Sequence, residues 1–407
     1  MLKMAFRNIF RQKRRSILTA LTMFGGFILA AVGIGFSDGT YNGIINMFTR
    51  SQLGHIQVHA QGFMSRPSLN KTINDYPQIE KIISETEGAE AWAPRVYSAG
   101  LASVGERTYA GQIIGIDPAL EIRATHFDKK VVAGRVFSAR ASKEILLGTG
   151  LAQNLKASAG DDIVLVTQGA DGSLANDKYR LIGTVETGEV AADRMTIYLH
   201  LDDARDLLVL DDKIHEIIII ARSLKKVAGL NAALGQKLAA FPVDVQPWQV
   251  FAKSFYNGMQ AKKKGLNIIL LIVFIVVAIG VLNTALMAVL ERRREYGVLK
   301  AVGTRPRQIF SLILLEVHLL ALGSILVGLG LSLPINCYLS QHEFPITGLF
   351  SKPVTFGGVQ FRTMTSEVNL RSFLIPTITV IVSAFLVSIL PAIKAARAEP
   401  AKSVRIF

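Results

Sequence analysis

Two stretches of this chain contain no charged residue and are each long enough to cross a lipid bilayer. They cover residues 16–37 and 266–290, and both exceed the roughly 20 residues that a hydrocarbon core of about 30 Å requires. Two further apolar runs, residues 309–339 and 373–390, also have the length of a span. The sequence therefore predicts an α-helical membrane protein with four transmembrane helices.

The first apolar run could also be a secretory signal peptide. Its apolar core is longer than the usual 7–15 residues, and no small-x-small cleavage site follows it. We therefore predict an uncleaved anchor. Residues 1–10, which precede it, alternate apolar and basic side chains and favour an amphipathic helix in the inner headgroup plane over a disordered basic leader.

The distribution of charge predicts the orientation of the helices. Residues 1–15, 291–308 and 392–407 carry sixteen basic and three acidic residues, which leaves +13 of the chain's net charge of +14 in these three segments. Because lysine and arginine accumulate in cytoplasmic loops, we predict that both termini are cytoplasmic. Three lysines at 262–264 lie on the predicted outer side and can snorkel to the headgroups. The high isoelectric point thus indicates topology, and no nucleic-acid partner is expected.

The large segment between the first two spans has an α/β pattern. The only cysteine of the chain, Cys337, excludes an intrachain disulfide, so this domain must be held by its own core. Runs rich in β-branched residues, separated by Gly, Asp and Pro, predict strands. The predicted strands are residues 55–59, 111–116, 144–147, 162–166, 179–185, 194–199 and 216–220, and the predicted helices are 78–86, 202–210 and 223–241.

A short charged segment separates the second and third spans. Tyr296, Leu299 and Val302 recur at three-residue spacing, which places them on one face of a helix. Gly303 can end that helix in a left-handed conformation, and Thr304 can cap the next one. We expect an apolar ridge in a basic frame that contacts a partner.

This segment resembles the ExRxxExGxLxAxG signature that follows the second membrane helix in permeases of the MacB, LolC/LolE and FtsX superfamily. The matching positions are Glu291, Arg293, Glu295, Gly297, Leu299, Ala301 and Gly303. The external segment is similar to the MacB-like periplasmic core domain at residues 51–57, 115–118, 134–135, 144–152 and 160–163. Within the first of these, Gly-His-Ile-Gln resembles the LolC/LolE branch.

The resemblance extends over essentially the whole chain and implies a definite organisation. The implied segments are a cytoplasmic amphipathic elbow helix (1–15), a first span (16–37), a periplasmic α/β domain of two subdomains (38–264), a second span (265–290), a cytoplasmic coupling segment (291–308), a third span (309–339), a periplasmic loop (340–371), a fourth span (372–391) and a cytoplasmic tail (392–407). The loop 340–371 is long for a LolC/LolE-like protein, and its portion 354–361 resembles strands.

The family likeness also implies a function. It is that of the transmembrane subunit of a MacB/LolCDE-type ABC transporter in the inner membrane of a diderm bacterium. Since no Gly-Lys-Ser/Thr step of a P-loop occurs in the chain, ATP and Mg are expected on two copies of a separate ATPase, and this subunit is expected to be non-catalytic. The other implied partners are a second permease chain, identical or paralogous, membrane lipid, and a lipoprotein or a periplasmic chaperone or adaptor.

The cargo and the use of the machine stay open at this point. Lipoprotein release is the first hypothesis, because of the Gly-His-Ile-Gln element. An FtsX-like protein would instead signal to a periplasmic partner without moving cargo, and a third hypothesis is efflux of a small amphiphile or peptide. A stand-alone membrane anchor for a binding domain would need no coupling segment.

Polar side chains within the apolar runs are candidate functional residues. Glu316 in the third span would cost roughly 2.5–3.5 kcal/mol if it faced lipid at the bilayer centre, so it must face protein or water. His318, two residues further on, is the other polar candidate in this span. We predict a pairing role for Glu316 at a subunit interface, with a proton relay or a place near the cytoplasmic basic cluster as alternatives. His55 and His59 have the spacing of a metal site on a helix, but their segment alternates like a strand, so we predict no metal there.

A cargo entrance is expected where the first two spans meet the external domain. Its candidate residues are Phe36, Tyr41, Ile45, Phe48, Leu266 and Ile269. The four residues after the first span recur at helical spacing and would offer an apolar face to acyl chains. Ordinary packing against a neighbouring span is the alternative.

Overall fold

The chain folds into two compact units, which a computed structural model describes at residues 1–345, 354–356, 359–361 and 363–397. The helical unit contains Met1–Tyr41 and Met259–Ile346 together with the segment from Thr363 onward, and the sheet unit contains Asn42–Gly258 and Thr347–Arg362. The end of the predicted cytoplasmic tail, residues 398–407, lies outside the described residues.

Helices account for most of the helical unit and for the connections of the sheet unit. They are α1 (Leu2–Arg11), α2 (Lys13–Phe48), α3 (Tyr76–Ser84), α4 (Pro118–Thr125), α5 (Thr149–Leu155), α6 (Val190–Asp193), α7 (Leu201–Leu208), α8 (Val227–Lys237), α9 (Trp248–Phe251), α10 (Lys253–Glu291), α11 (Arg293–Ala301), α12 (Pro306–Gln341) and α13 (Leu370–Ala396). A π-helical turn, Thr49–Leu53, continues α2, and 3₁₀ turns form at Phe127–Lys130 and Leu224–Lys226.

Four of these helices are long and apolar enough to span a bilayer. They are α2 with its π-helical extension, α10, α12 and α13, with mean hydropathy between 2.2 and 3.0 in their most apolar windows. The four predicted spans are thereby confirmed as helices. Both α2 and α10 are much longer than the roughly 20 residues that a bilayer requires, and each contributes residues to both units.

Close approach between helices holds the helical unit together. Phe27 is fully buried, and its ring packs where a Cβ on Gly328 would lie 2.5 Å away. Without a hydrophobic driving force between helices in lipid, such contacts of small residues supply much of the packing. Polar bonds add to it beside the loop before α13: Arg371 pairs with Asp38 at 3.1 Å, and the Asn336 amide donates to the Ala31 carbonyl at 3.3 Å.

The sheet unit is organised around one ten-stranded sheet. Its strands are β1 (Ile56–Ala60), β2 (Ala89–Val104), β3 (Arg107–Ile116), β4 (Val131–Gly134), β5 (Glu144–Gly148), β6 (Asp162–Gln168), β7 (Leu174–Val185), β8 (Thr196–His200), β9 (Glu216–Ala221) and β10 (Val243–Pro247). Their order is β10-β1-β9-β2-β3-β8-β5-β7-β4, and β6 pairs with β2 and β7. The predicted α/β domain is confirmed, and its strand pairing is continuous across the region expected to form two subdomains.

The loop between α12 and α13 contains strands of its own. They are β11 (Phe344–Pro345), β12 (Val354–Phe356), β13 (Val359–Phe361) and β14 (Thr363–Met364), paired as β11 with β14 and β12 with β13. The strand-like pattern at 354–361 is therefore confirmed at 354–356 and 359–361, which form an antiparallel pair of strands.

Neighbouring strands place different chemistry on the two faces of the sheet. One face carries the main core cluster, with Ile113, Ile145, Leu165 and Ile197 all fully buried. On the other face, α4 covers a smaller apolar cluster that includes Ile218 and Ile220, a further apolar cluster includes Ile116 and Leu146, and β1, β2 and β9 contribute polar groups. Since the central strands are buried on both faces, those polar groups are enclosed by protein.

We predict that Gly39→Ala destabilises the helical unit. A Cβ at Gly39 would lie 2.4–2.6 Å from backbone atoms of residues 365–367, which cannot move as a side chain can. We expect the free energy of unfolding to fall by about 1–3 kcal/mol. Gly33→Ala is the matched control, because the same helix offers open space there. Thermal unfolding followed by a thiol-reactive dye at Cys337 measures the effect, and equal midpoints for both variants would contradict it.

Candidate functional site

The charged segment between the second and third spans folds as a short helix and a tight turn. Helix α11 ends before Gly303, whose φ of +100° is in the range that favours glycine. The next helix begins at Pro306, and its N-cap is Arg305, whose backbone N–H donates to the side chain of Gln308 at 2.9 Å. The predicted turn at Gly303 is thus confirmed, whereas the cap predicted at Thr304 is wrong by one residue.

Tyr296 does not belong to an outward ridge. Its side chain is only 1% exposed and packs in a cluster with Ile309, Ile313 and Ala392 from α12 and α13, and Leu299 lies partly buried against the same cluster. The prediction that Tyr296, Leu299 and Val302 share a partner-facing ridge is therefore wrong for Tyr296, and for the half-buried Leu299 it stays a prediction. Residues at three-residue spacing are 300° apart around a helix. The spacing predicted the helix correctly but did not identify which of its faces is exposed.

The exposed face of α11 contains Val298, one residue before the predicted Leu299, together with Val302. Val298 and Val302 are 48% and 82% exposed, and Arg294 precedes them at four-residue spacing, so the three form one stripe along the helix. Arg293, Arg305 and Arg307 are also exposed around it. This face combines unpaired apolar surface with positive charge.

Ion pairs fix the opposite face of α11 to the rest of the helical unit. Arg292 donates to Glu295 at 2.9 Å and to Glu316 of α12 at 3.2 Å. The same Glu316 accepts a hydrogen bond from Asn8 of α1 at 2.5 Å. Lys300 donates to the Ala396 carbonyl at the end of α13 at 2.9 Å. The coupling segment is therefore linked to α1, α12 and α13 by buried or half-buried polar contacts.

Glu316 thus sits beside the basic cluster, as one of the alternatives for it required. Its partners Arg292 and Asn8 belong to the same chain, and a role at a subunit interface stays a prediction. His318 lies two residues further along α12 and makes a hydrogen bond with the Leu314 carbonyl of its own helix. Its ring meets the ring of Phe385 edge-on, with centroids 6.0 Å apart.

Helix α1 has the predicted amphipathic form. Its exposed side includes Leu2, Met4, Phe6 and Phe10, while Ala5 is fully buried. Arg11, at its end, lies 3.5 Å from Glu295. This helix joins the coupling segment on one side and leaves an apolar face open on the other.

The predicted entrance residues differ in their exposure. Phe48 is buried in the sheet unit, where its ring stacks on Phe255 at 3.8 Å. Ile45 is half-buried one turn earlier on α2, and Ile269 is exposed on α10. Phe36, Tyr41 and Leu266 are half-buried. Phe48 is therefore a packing residue, and the entrance role of the others stays a prediction.

A second candidate site, absent from the sequence prediction, is a cavity of about 990 Å³ in the sheet unit. Its floor is the polar face of the sheet, formed by Gln57 and His59 of β1, Arg95 and Tyr97 of β2 and Glu216 of β9. Its aromatic walls are Phe48, Phe63, Phe127, Tyr198, Phe251 and Phe255. A volume of this size, with apolar walls and a few polar groups, suits a small amphiphilic molecule.

Strand register brings the charged groups of the floor together. His59 pairs with Glu216 across β1 and β9, and Glu216 pairs with Arg95 across β9 and β2. Arg95 forms a two-pronged ion pair with Glu121 of α4, at 2.6 and 3.2 Å. The Tyr97 hydroxyl donates to Glu216, and the His59 ring lies 3.4 Å from the same carboxylate. Each buried charge therefore has a partner.

These contacts change the acidity of the floor residues. Burial alone would raise the pKa of Glu216, but the His59 hydrogen bond and the nearby Arg95 charge hold that pKa below its ordinary value. Burial raises the pKa of Tyr97 well above its usual range, and the Glu216 charge adds to that rise. At the cavity edge, burial lowers the pKa of Lys130 to about 8. Glu216 is therefore an acceptor and Tyr97 a donor at neutral pH.

His55 and His59 have separate structural roles. His55 accepts a hydrogen bond at Nδ1 from the Ala221 N–H at 3.0 Å, and burial lowers its pKa to about 4. His59 faces Glu216 and stacks on Phe63. Their four-residue spacing brings them to different partners, and the part of the chain that the structure describes holds no group of three metal-ligating side chains.

Comparison with known proteins agrees with the architecture of both units. Residues 16–237 match the model of the MacB-like periplasmic core domain, and residues 267–400 match that of the FtsX-like permease C-terminal domain. The first match alone covers more than half of the 407 residues. The chain belongs to the MacB/LolC/FtsX superfamily of ABC transporter permeases.

Several relatives of this permease superfamily align over most of the chain. The lipoprotein-releasing system transmembrane protein LolC of Neisseria meningitidis serogroup B is 23% identical over 76% of this chain and 75% of its own length. The macrolide export ATP-binding/permease protein MacB of Pasteurella multocida is also 23% identical, over 98% of this chain and 59% of its own length. The periplasmic region of MacB from Actinobacillus actinomycetemcomitans aligns over 50% of this chain and 92% of its own, at 14% identity and a TM-score of 0.36.

We predict that the stability of the helical unit depends on the ion pair between Arg292 and Glu316. Removing one partner of such a pair leaves an uncompensated charge and costs about 3–5 kcal/mol, so Arg292→Met and Glu316→Leu should each lower the unfolding midpoint. The double variant should lose less than the sum of the two, because neither charge is left alone.

A surface pair provides the control for this cycle. Arg11→Ala removes the contact with Glu295, in which the two side chains are 71% and 42% exposed, and it should cost no more than about 1 kcal/mol. The dye at Cys337 again reports unfolding of the helical unit. Strict additivity of the two buried substitutions would show that Arg292 and Glu316 do not stabilise each other.

Proposed function

We propose that this permease couples ATP hydrolysis on a separate ATPase to movement of its sheet unit, and that the movement releases a lipid-modified protein from the outer leaflet of the inner membrane. The carrying observation is the two-sided helix α11. One side is anchored by Tyr296 and by the pair of Arg292 and Glu316, and the other presents Val298 and Val302 to a partner.

The character of the outward stripe supports an ATPase as that partner. An exposed apolar pair framed by arginines is suited to a groove with apolar and acidic walls. The same helix is attached to α12 and α13 through Tyr296 and Lys300. A displacement of α11 by the partner would therefore also displace the ends of α12 and α13 that α11 contacts. The proposed assembly contains two permease chains, identical or paralogous, and two ATPase copies that bind ATP and Mg.

The proposed topology follows the charge distribution. With α1, α11 and both termini in the cytoplasm, the sheet unit lies in the periplasm. The exposed apolar face of α1 then rests in the inner headgroup layer. The coupling helix is placed on the side where ATP is available.

Relatives named for lipoprotein release support the proposed cargo. Three LolC proteins align over about three quarters of this chain. Regulation of a periplasmic partner and efflux of a small amphiphile are alternative uses of the same architecture, and the crosslinking experiment below separates them.

Val302→Asp should abolish productive ATPase binding without unfolding the permease. The side chain is 82% exposed in the isolated chain, so the substitution costs little until the partner buries the carboxylate unpaired. We expect binding of the purified ATPase to weaken at least tenfold. Val132→Asp, at an exposed valine of β4, is the control, and wild-type ATPase affinity for the Val302 variant would exclude this docking face.

A photo-crosslinker at Ile45 should capture a lipid-modified protein in cells. Ile45 lies half-buried on α2, whereas Phe48 is already stacked on Phe255 and would disturb packing if replaced. The same crosslinker at Val132 should capture none. Capture of a cell-wall hydrolase regulator at Ile45 would favour the signalling alternative, and capture of a small amphiphile would favour efflux.

A further inference from the structure

Three consecutive carbonyl groups at the end of the first long helix accept hydrogen bonds from side chains of the sheet unit. The Ser51 carbonyl accepts from Lys130, the Gln52 carbonyl from Arg95 Nη1 at 2.5 Å, and the Leu53 carbonyl from Gln57 Nε2 at 2.7 Å. All three belong to the π-helical turn that continues α2. The chain leaves this turn at Gly54, with a φ of +77°.

Such carbonyls have no partner within a helix and carry its partial negative charge. Elsewhere water or a glycine cap can satisfy them. Here the donors come from three separate places: β1, β2 and the 3₁₀ turn after α4. Two of the three donors are cations, which complement the helix end electrostatically.

Each donor is itself held in place. Arg95 is 7% exposed, and its Nε and Nη2 atoms donate to the two carboxylate oxygens of Glu121, which is 1% exposed. The Thr125 hydroxyl donates to the same Glu121 carboxylate at 2.9 Å. Lys130 lies over the Phe127 ring at 5.7 Å, and Gln57 is buried within β1. The donors therefore form a rigid set rather than loose surface side chains.

We propose that Gln57, Arg95 and Lys130 form a socket that fixes the end of the first long helix to the sheet and transmits movement of that helix to the sheet. The socket residues act as positioning residues, because each holds a backbone carbonyl of the helix end. The inference rests on the proposed function, because the movement they transmit is supplied by the ATPase. Because the three carbonyls are held by donors on three separate elements, a displacement of the helix end acts on all three elements.

Hydrogen exchange of the full-length chain in lipid nanodiscs tests the geometry. Lys130→Met removes one cationic donor, and its exposed neighbour supplies the control Lys129→Met. We expect amides of residues 49–56 to exchange about tenfold faster in Lys130→Met, while peptides from β5 and β8 keep wild-type rates. Lys130→Arg, which retains a cationic donor, should restore protection.

Gln57→Met provides a second test on another strand. It keeps the side-chain length and removes the donor to Leu53, so it should loosen the same segment. Fluorescence of Trp92 and Trp248, the two tryptophans of the chain, reports whether the sheet unit is still folded. Unchanged exchange at 49–56 in both folded variants would overturn the socket.

The transmission role is tested in proteoliposomes with the partner ATPase. We expect Lys130→Met to hydrolyse ATP at the wild-type rate but to release at least fivefold less lipid-modified protein per ATP, with Lys130→Arg and Lys129→Met close to wild type. Wild-type release by a Lys130→Met chain whose helix end exchanges faster would overturn transmission through the socket. Failure of the wild-type chain itself to release any such protein would instead overturn the proposed cargo, and the exchange result would still decide the socket's geometry.

Discussion

The last carbonyl groups of a helix need donors when protein covers them, and this requirement is met at the ends of two long helices. At the end of α2, Gln57, Arg95 and Lys130 supply those donors from the sheet unit. At the end of α13, Lys300 of the coupling helix donates to the Ala396 carbonyl. In both places the terminal carbonyl groups of a long helix accept hydrogen bonds from residues on other elements. Each helix terminus is thereby joined to a neighbouring element.

Charge buried inside the chain follows the same logic. Arg292 is shared between Glu295 and Glu316, and Arg95 between Glu121 and the Gln52 carbonyl. A buried ion pair adds little net stability compared with apolar residues of the same volume, but breaking one is costly. Such pairs therefore specify which elements contact one another, and they make wrong arrangements unfavourable.

Local signals in the sequence were sufficient for the four long helices and for most strands of the sheet, and non-local pairing explains why the polar cavity floor was missed. Uncharged runs predict spans because a bilayer has one thickness, and Gly303 is recognisable because a left-handed turn favours glycine. The polar floor of the cavity depends on register: Glu216 and Arg95 are far apart in sequence and meet only because β9 pairs with β2. The local sequence signal for this polar floor is the two-residue spacing of Gln57 and His59 and of Arg95 and Tyr97. Tyr296 was misplaced for the same reason, since the cluster that buries it is built by α12 and α13.

Helices α2 and α10 also meet within the sheet unit. The Phe48 ring, from the end of α2, stacks on the ring of Phe255 from the first turn of α10, with centroids 3.8 Å apart. Trp248 packs edge-on against Phe255 and against Tyr256, and its backbone N–H donates to the His55 carbonyl just beyond the π-helical turn. Aromatic contacts of this kind add about 0.5–1.5 kcal/mol each beyond the burial of their surface. The end of α2 is thus joined both to the sheet and to the start of α10. Separating the end of α2 from the start of α10 would therefore break the contact between the Phe48 and Phe255 rings.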